Sequence, residues 1–366
     1  MRLLCPRGHE EYPVESFAWR CGCGEPLILD GAPPFRPADV DEPVRSLWRY
    51  AGMLPLPRPE MPVTLGEGWT PLLQADVGGF SVHCKMESLN PTGSFKDRGL
   101  SVLVTALRAA GVGRVVEDSS GNAGASLAGY AARAGLRAMI YAPAAAPPAK
   151  LQQVRAYGAE LLPIPGPRAA VAKAAQSAIG PGTVYASHVY QPLALGGIKT
   201  LAYELWEQLG GRAPDFVIVP VGHGTCLLGL AAGFEDLQAA GLIAQPPRLI
   251  GVQPAACAPL AAAFAAHSAE PVWVSPAPTV ADGAQIAQPV RGEAVLAAVR
   301  HSGGTLLAIP DEVTVLATQE LARAGLYVEP TSALTAAALP SLAEVITTQA
   351  VTVLVLTGHG LKRPSG

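Results

Sequence analysis

The sequence predicts an α/β protein built on parallel strands buried on both faces. Three observations carry that prediction. DFVIVPV at 215–221, PRLIGVQP at 247–254 and AVTVLVLTG at 350–358 are continuous apolar runs of strand length, without the polar alternation of a half-exposed sheet. Helix-forming stretches separate such runs, which is the order that yields parallel sheets. The chain has 366 residues, 49% of them hydrophobic and only 15% charged, enough for a large core shared among two or three structural units.

The elements follow in order. Residues 1–30 read as a small separate module rich in turns, holding Cys5, His9, Cys21 and Cys23. Three of the six cysteines crowd this stretch, while Cys84, Cys226 and Cys257 are scattered, a pattern that favours a metal knuckle over a disulfide framework. The four side chains would make one tetrahedral zinc site, although Gly8 stands where a regular knuckle has its second cysteine. The alternative is a degenerate knuckle held by packing of Phe17, Trp19 and Leu27. Residues 31–64 (APPFRP, LPLPRPEMP) form a proline-rich connector, because each proline removes a donor and restricts its neighbour.

Beyond residue 65 strand, loop and helix repeat. FSVHCKME at 80–87 alternates like a strand, and a helix is expected over about 95–110. RVVEDS at 114–119 is a strand, SLAGYAARAG at 126–135 a helix ending on Gly135, and RAMIYAP at 137–143 a strand. No internal repeat is visible. Ligand sites in such sheets lie in the loops that follow the strands.

Four such loops carry chemistry. In NPTGSFKDRG (90–99), the Asn90–Gly93 turn and Ser94 as a helix cap would place Lys96 in a first helical turn. The helix dipole there lowers a lysine pKa, and a neutral amine forms Schiff bases with aldehydes. The bland alternative makes Lys96, Asp97 and Arg98 a solvated charged face. In EDSSGNAGAS (117–126), Ser119, Ser120, Gly121 and Asn122 open a helix and expose backbone N–H groups to an anion such as a carboxylate. In VPVGHGTCLLG (219–229), Gly222, His223, Gly224 and Thr225 offer a similar nest for a phosphate. In VLVLTGHGLK (353–362), Thr357 presents a hydroxyl, and EPTSA (329–333) adds the acidic Glu329. Each loop alone also reads as ordinary turn chemistry.

In this order and spacing, NPTGSFKDRG, SSGNAG, the glycines at 222–225, EPTSA and TGHGLK resemble threonine synthase, a family of fold-type II pyridoxal-phosphate enzymes. The resemblance runs from about 60 to 362, and residues 1–30 look like that family's N-terminal module. It implies two three-layer α/β domains with the cofactor in the cleft, plus a small zinc-ribbon-like module. The large domain would comprise 31–88 and 187–366, the small one 89–186. It further implies that Lys96 binds pyridoxal 5'-phosphate covalently and moves protons, and that Asn122 hydrogen-bonds the cofactor O3′. Gly222, His223, Gly224 and Thr225 would hold its phosphate. Thr357 would face the pyridine nitrogen, leaving it unprotonated and favouring elimination and replacement over transamination. Ser119, Ser120, Gly121 and Asn122 would bind the substrate carboxylate, with His188 also at the substrate.

One stretch departs from the resemblance. Phosphohomoserine-using members carry NSxNPxRxxGQKT, whose Asn, Ser and Arg grip the substrate phosphate. Here the stretch is HVYQPLALGGIKT (188–200), with His188 for Asn, Val189 for Ser and Ala194 for Arg. The Thr that often follows SSGN is Ala123. Losing the arginine costs about 2–5 kcal/mol of phosphate binding. The expected function is therefore a threonine-synthase-like lyase not specific for phosphohomoserine. Alternatives are a serine/threonine dehydratase, a cysteine- or cysteate-synthase-like β-replacement enzyme, and a cofactor-binding pseudoenzyme.

Composition bounds the partners. A net charge of −3 excludes an electrostatic nucleic-acid binder. Mean hydropathy is +0.28, but the apolar runs at 255–266 and 350–356 are too short to span a bilayer. The start MRLLCPRGHEEYP has no apolar run of signal-peptide length. A soluble cytoplasmic homodimer acting on a small amino acid, with no nucleic-acid or membrane partner, is expected.

Overall fold

The computed structural model describes residues 1–56, 61–146 and 148–362. Part of the proline-rich connector, 57–60, lies outside the described residues. The strands are β1 Arg2–Leu4, β2 Glu11–Pro13, β3 Ile28–Asp30, β4 Leu72–Val77, β5 Phe80–Lys85, β6 Arg114–Glu117, β7 Arg137–Pro143, β8 Glu160–Ile164, β9 Thr183–Tyr185, β10 Phe216–Pro220, β11 Arg248–Pro254, β12 Thr305–Ile309 and β13 Thr352–Val355. The α-helices are α1 Lys96–Ala109, α2 Asn122–Ala134, α3 Pro148–Ala156, α4 Arg168–Ser177, α5 Pro192–Ile198, α6 Thr200–Gln208, α7 Thr225–Ala239, α8 Pro259–Ala265, α9 Gly292–His301, α10 Asp311–Arg323 and α11 Pro330–Ala337.

The chain divides into two compact units. The first comprises 1–68, 90–198 and the segment from Lys362. Its main sheet has the order β8-β7-β6-β9, all parallel. The N-terminal module is a separate antiparallel sheet, β2-β1-β3. Leu3, Val14, Phe17 and Leu27 of that module join Leu100, Leu103 and Tyr130 in one buried cluster. Trp19 instead stacks edge-to-face on Tyr185 and Tyr190, at centroid distances of 4.9 and 4.8 Å.

The second unit comprises 69–89 and 199–361. Its sheet has the order β12-β11-β10-β13-β5-β4 and is parallel except for β4, which pairs antiparallel with β5 at the edge. All five residues of β10 and all four of β13 are buried, as the continuous apolar runs require. Inside this unit the fully buried Lys85 ammonium meets Glu204 at 2.8 Å, the Thr70 carbonyl at 2.7 Å and Gln208 at 2.9 Å. A buried lysine survives only with this degree of compensation.

The unit boundary differs from the sequence expectation, which gave 31–88 and 187–366 to one large domain. Residues 31–68 and 187–198 pack within the first unit, because close approach of small residues decides the matter. A Cβ placed on Gly99 of α1 would lie 2.7 Å from the Ala194 carbonyl oxygen, and one on Gly197 would lie 2.1 Å from that of Arg98. Helix α5 therefore rests on α1 backbone to backbone. Leu47, Leu54 and Leu56 cover Val102 on the same helix.

Candidate active site

Loops at the carboxyl ends of the parallel strands hold nearly every candidate residue. In the first unit, the turn 90–93 is closed by the Gly93 N–H donating to the Asn90 carbonyl at 2.7 Å, with Gly93 at φ +86°. Helix α1 then begins at Lys96, the expected place. The expected cap is wrong: the helix has no side-chain cap, and the Ser94 hydroxyl is buried with no hydrogen-bond partner among the described residues. Asp97 instead ties the preceding turn to the helix start and to α2. Its carboxylate accepts from the Thr92 N–H (2.7 Å), the Thr92 hydroxyl (2.6 Å) and, from α2, the Ser126 hydroxyl (2.6 Å).

Asp97 and Arg98 are fully buried rather than a solvated face. Burial pushes the Asp97 carboxyl up to about 6, against the pull of its hydrogen bonds from Ser126 and Thr92. The Lys96 ammonium lies 4.3 Å from the Phe95 ring centre, beside the strapped turn. Lys362 and Gln153 donate to the Thr92 carbonyl at 2.7 and 3.0 Å, so the turn before Lys96 is held from three sides.

Strand β6 runs into the second loop. Helix α2 starts at Asn122, four residues earlier than periodicity suggested, with no side-chain cap. A Cβ on Gly124 would lie 1.9 Å from the Ser119 carbonyl oxygen, so the loop folds tightly onto the helix start. Ser119 accepts weakly from the Gly121 N–H at 3.4 Å.

Sequence reasoning missed the residue just before this loop. Glu117, the last residue of β6, is buried with its Oε1 2.7 Å from His188 Nδ1, a hydrogen bond whose donor depends on the imidazole tautomer. Its other oxygen is buried with no hydrogen-bond partner among the described residues. Burial, and then the neighbouring Asp118, push the Glu117 carboxyl up to about 8. The signal was visible only in part: an acid ending a buried strand, with its histidine 71 residues away. Val189 and Ala194, the other positions of the departing stretch, are buried, and Ala194 faces α1. An arginine at 194 would have to wedge α5 from α1.

In the second unit, β10 ends at Pro220 and α7 opens from Gly224 at φ +84°, with no side-chain cap. A Cβ on Gly224 would lie 2.2 Å from Val295 Cγ2, and one on Gly222 would lie 3.2 Å from the Gly283 carbonyl oxygen. His223 accepts from the Val290 N–H at 3.4 Å, and Thr225 is buried. After β13, the Thr357 hydroxyl is buried 3.1 Å from that of Ser332, which also accepts from the Gly358 N–H at 2.8 Å. A Cβ on Gly358 would strike the Glu329 carboxylate at 2.2 Å, which explains glycine in TGHG.

Taken unit by unit, the residue chemistries suit a pyridoxal phosphate. The first unit offers an amine at a helix start. The second offers a glycine loop opening an uncapped helix of 15 residues as an anion nest, and a buried hydroxyl after a strand.

The pyridoxal-phosphate dependent enzyme family matches residues 63–358. The chain belongs to this family. It is 34% identical to the threonine synthase of Methanocaldococcus jannaschii, over 100% of this chain and 93% of that protein. It is 36% identical to the threonine synthase of Mycobacterium tuberculosis, over 86% of this chain and 88% of that one. Among solved structures, a threonine deaminase from T.th. superposes with a TM-score of 0.69 at 29% identity, covering 81% of this chain and 94% of that one. Maize serine racemase superposes with a TM-score of 0.68 at 25% identity, covering 80% and 88%. Fold type II, use of pyridoxal phosphate and lyase chemistry on amino-acid side chains follow for this member of the family. No helix among the described residues is long and apolar enough to cross a membrane.

Proposed function

We propose that this lyase eliminates or replaces an uncharged or small leaving group on an amino-acid side chain, and that phosphohomoserine is a poor substrate. Lys96 carries the cofactor and is the base at the substrate α-carbon. The backbone N–H groups of Gly222–Thr225 take the cofactor phosphate, Asn122 its O3′ and Thr357 its ring nitrogen. Bound there, the cofactor supplies an electron sink for charge developing at the α-carbon. The Asp97 strap fixes the backbone at Lys96, so the amine swings from a rigid base. Ser119, Ser120, Gly121 and Asn122 receive the substrate carboxylate at the start of α2.

The observation that carries the substrate choice is the Glu117–His188 pair. A phosphate dianion calls for charge-assisted donors such as arginine. Here His188 spends Nδ1 on a carboxyl at 2.7 Å, a second acid, Asp118, follows directly, and positions 189 and 194 are buried and apolar. That surrounding is hostile to a dianion and tolerant of neutral groups. The reading includes a homodimer in the cytoplasm, which light scattering on the purified protein tests for its oligomeric part.

The test is a panel of O-phosphohomoserine, O-phosphoserine, O-acetylserine, serine and threonine, read by cofactor absorbance and keto-acid or product release. Turnover of the neutral amino acids with little threonine from phosphohomoserine is expected. Keto acid from serine or threonine alone assigns a dehydratase, and product only with an added nucleophile assigns replacement. Efficient threonine formation from phosphohomoserine refutes the substrate proposal.

A further inference from the structure

The N-terminal module brings four metal-ligating side chains from two separate turns to one point. The first turn, Cys5–Gly8, is closed by the Gly8 N–H on the Cys5 carbonyl at 2.9 Å, with Gly8 at φ +73°. The second, Cys21–Gly24, repeats this bond at 2.9 Å, with Gly24 at φ +99°. Both turns need the left-handed glycine to fold back on themselves. They deliver Cys5 and His9 from one side and Cys21 and Cys23 from the other. The four ligand atoms all lie within 4.8 Å of one another.

The spacing discriminates among explanations. Cys5 Sγ and Cys23 Sγ are 3.7 Å apart. A disulfide would bring them to about 2.05 Å. Two sulfurs on a tetrahedron of 2.3 Å zinc–sulfur bonds sit about 3.8 Å apart. Packing explains Cys5 and Cys21, which are buried as small hydrophobes. It does not explain Cys23 and His9, which are exposed yet turn toward the same point. Beneath the cluster, the Glu10 carboxylate accepts from the Cys21 thiol at 3.2 Å and from the Gly22 N–H at 3.1 Å, and Tyr12 donates to it as well. Zinc binding removes the Cys21 thiol proton, after which Glu10 keeps the Gly22 N–H and the Tyr12 hydroxyl as its donors and the thiolate is left for the ion.

We propose that Cys5, His9, Cys21 and Cys23 bind one zinc ion in a closed, four-ligand structural site. Binding takes three thiols and one neutral imidazole, forms three Zn–S bonds and one Zn–N bond, and releases three protons to solvent. The open-position geometry of catalytic zinc is absent, since all four corners come from protein. The ion joins the two turns that the short sheet β2-β1-β3 leaves unlinked. Its effect reaches further, because the module grips the segment carrying His188: Gln191 donates to the Phe17 carbonyl at 3.1 Å, and Trp19 stacks on Tyr190.

The experiment uses the full, untagged chain purified in reductant without chelator. Metal analysis should give about one zinc per chain, retained through gel filtration. Replacement by Co(II) should give the visible bands of a tetrahedral site and the charge-transfer absorbance of three thiolates. Cys23→Ser should lower that absorbance by about a third, in proportion to the thiolates remaining. His9→Ala, at an exposed position, leaves the fold intact and should lose zinc on dialysis where wild type does not. Zinc near zero in reduced wild type, even after incubation with zinc salt, overturns the proposal. So does a Cys5–Cys23 disulfide recovered from protein alkylated at the moment of cell lysis. None of these readouts depends on pyridoxal phosphate or on a substrate.

Discussion

Glu117→Gln should stabilise the protein at alkaline pH and leave it unchanged in acid. The side chain keeps its shape, while the ionisable proton is removed from a buried site. In the folded chain the Glu117 carboxyl is pushed up to about 8 from an ordinary 4.5, mainly by burial. Folding thus holds on Glu117 a proton that the unfolded chain releases. A raised carboxyl pKa contributes stability that is complete below about 4.5 and lost as pH rises through about 8. At 1.36 kcal/mol per pH unit, the loss at pH 9 is on the order of 5 kcal/mol as an upper bound. Spread over the unfolding entropy of a chain this size, that is roughly 6 °C in Tm. The assay is thermal unfolding of wild type and Glu117→Gln in matched buffers from pH 5 to 9. Equal melting near pH 5 and a gap opening in favour of the variant toward pH 9 is the expected pattern. A variant that is less stable at pH 9 would refute the reasoning, because it would mean that the ionised carboxylate is welcome in that site.

Two further outcomes follow from the same geometry. Lys96→Ala should abolish the visible cofactor band, and borohydride reduction of wild type should leave a pyridoxyl group on a peptide containing Lys96; a reduced adduct on another lysine would reassign the attachment. Gly224→Ala must accept a left-handed backbone and a methyl group 2.2 Å from Val295 Cγ2, at a combined cost of roughly 2–5 kcal/mol, and should lower both Tm and cofactor affinity. Adding Val295→Ala should recover part of the Tm loss; no recovery would show that the side-chain clash is unimportant.

Much of the fold is legible in the sequence because buried parallel strands leave an unambiguous trace. RAMIYAP is the strand Arg137–Pro143 to the residue, and the runs near 215, 247 and 350 each contain their strand. Lys96 was legible too, since turn chemistry fixes where α1 can start. What stayed hidden depends on contacts distant in sequence. Lys96, Asp97 and Arg98 look alike as charges, and only the Thr92 and Ser126 partners make Asp97 a buried strap. The Glu117–His188 pair needs β6 and the loop after β9 side by side before it exists. The membership of 187–198 turns on glycine-backbone approaches, which no hydrophobic pattern records. Convergence of the four N-terminal ligands was legible from residue type despite irregular spacing, because His9, one residue beyond the regular place, still reaches the cluster.

The order of strands in the second unit bears on how the chain can be made. Strands β4 and β5 are encoded inside the sequence of the first unit, yet β5 takes its parallel partner from β13, with His83 opposite Val353 and Lys85 opposite Val355. During synthesis β5 leaves the ribosome more than 260 residues before that partner does. At 5–20 residues per second this is a wait of roughly 15–50 s. Throughout it, Val82 and Cys84, wholly buried in the finished protein, belong to an incomplete sheet with an open edge. The first unit has all but its last short segment by residue 198 and is free to fold during translation. The second can close its sheet only once β13 has emerged, so a nascent chain stalled before residue 352 should be the form that needs a chaperone.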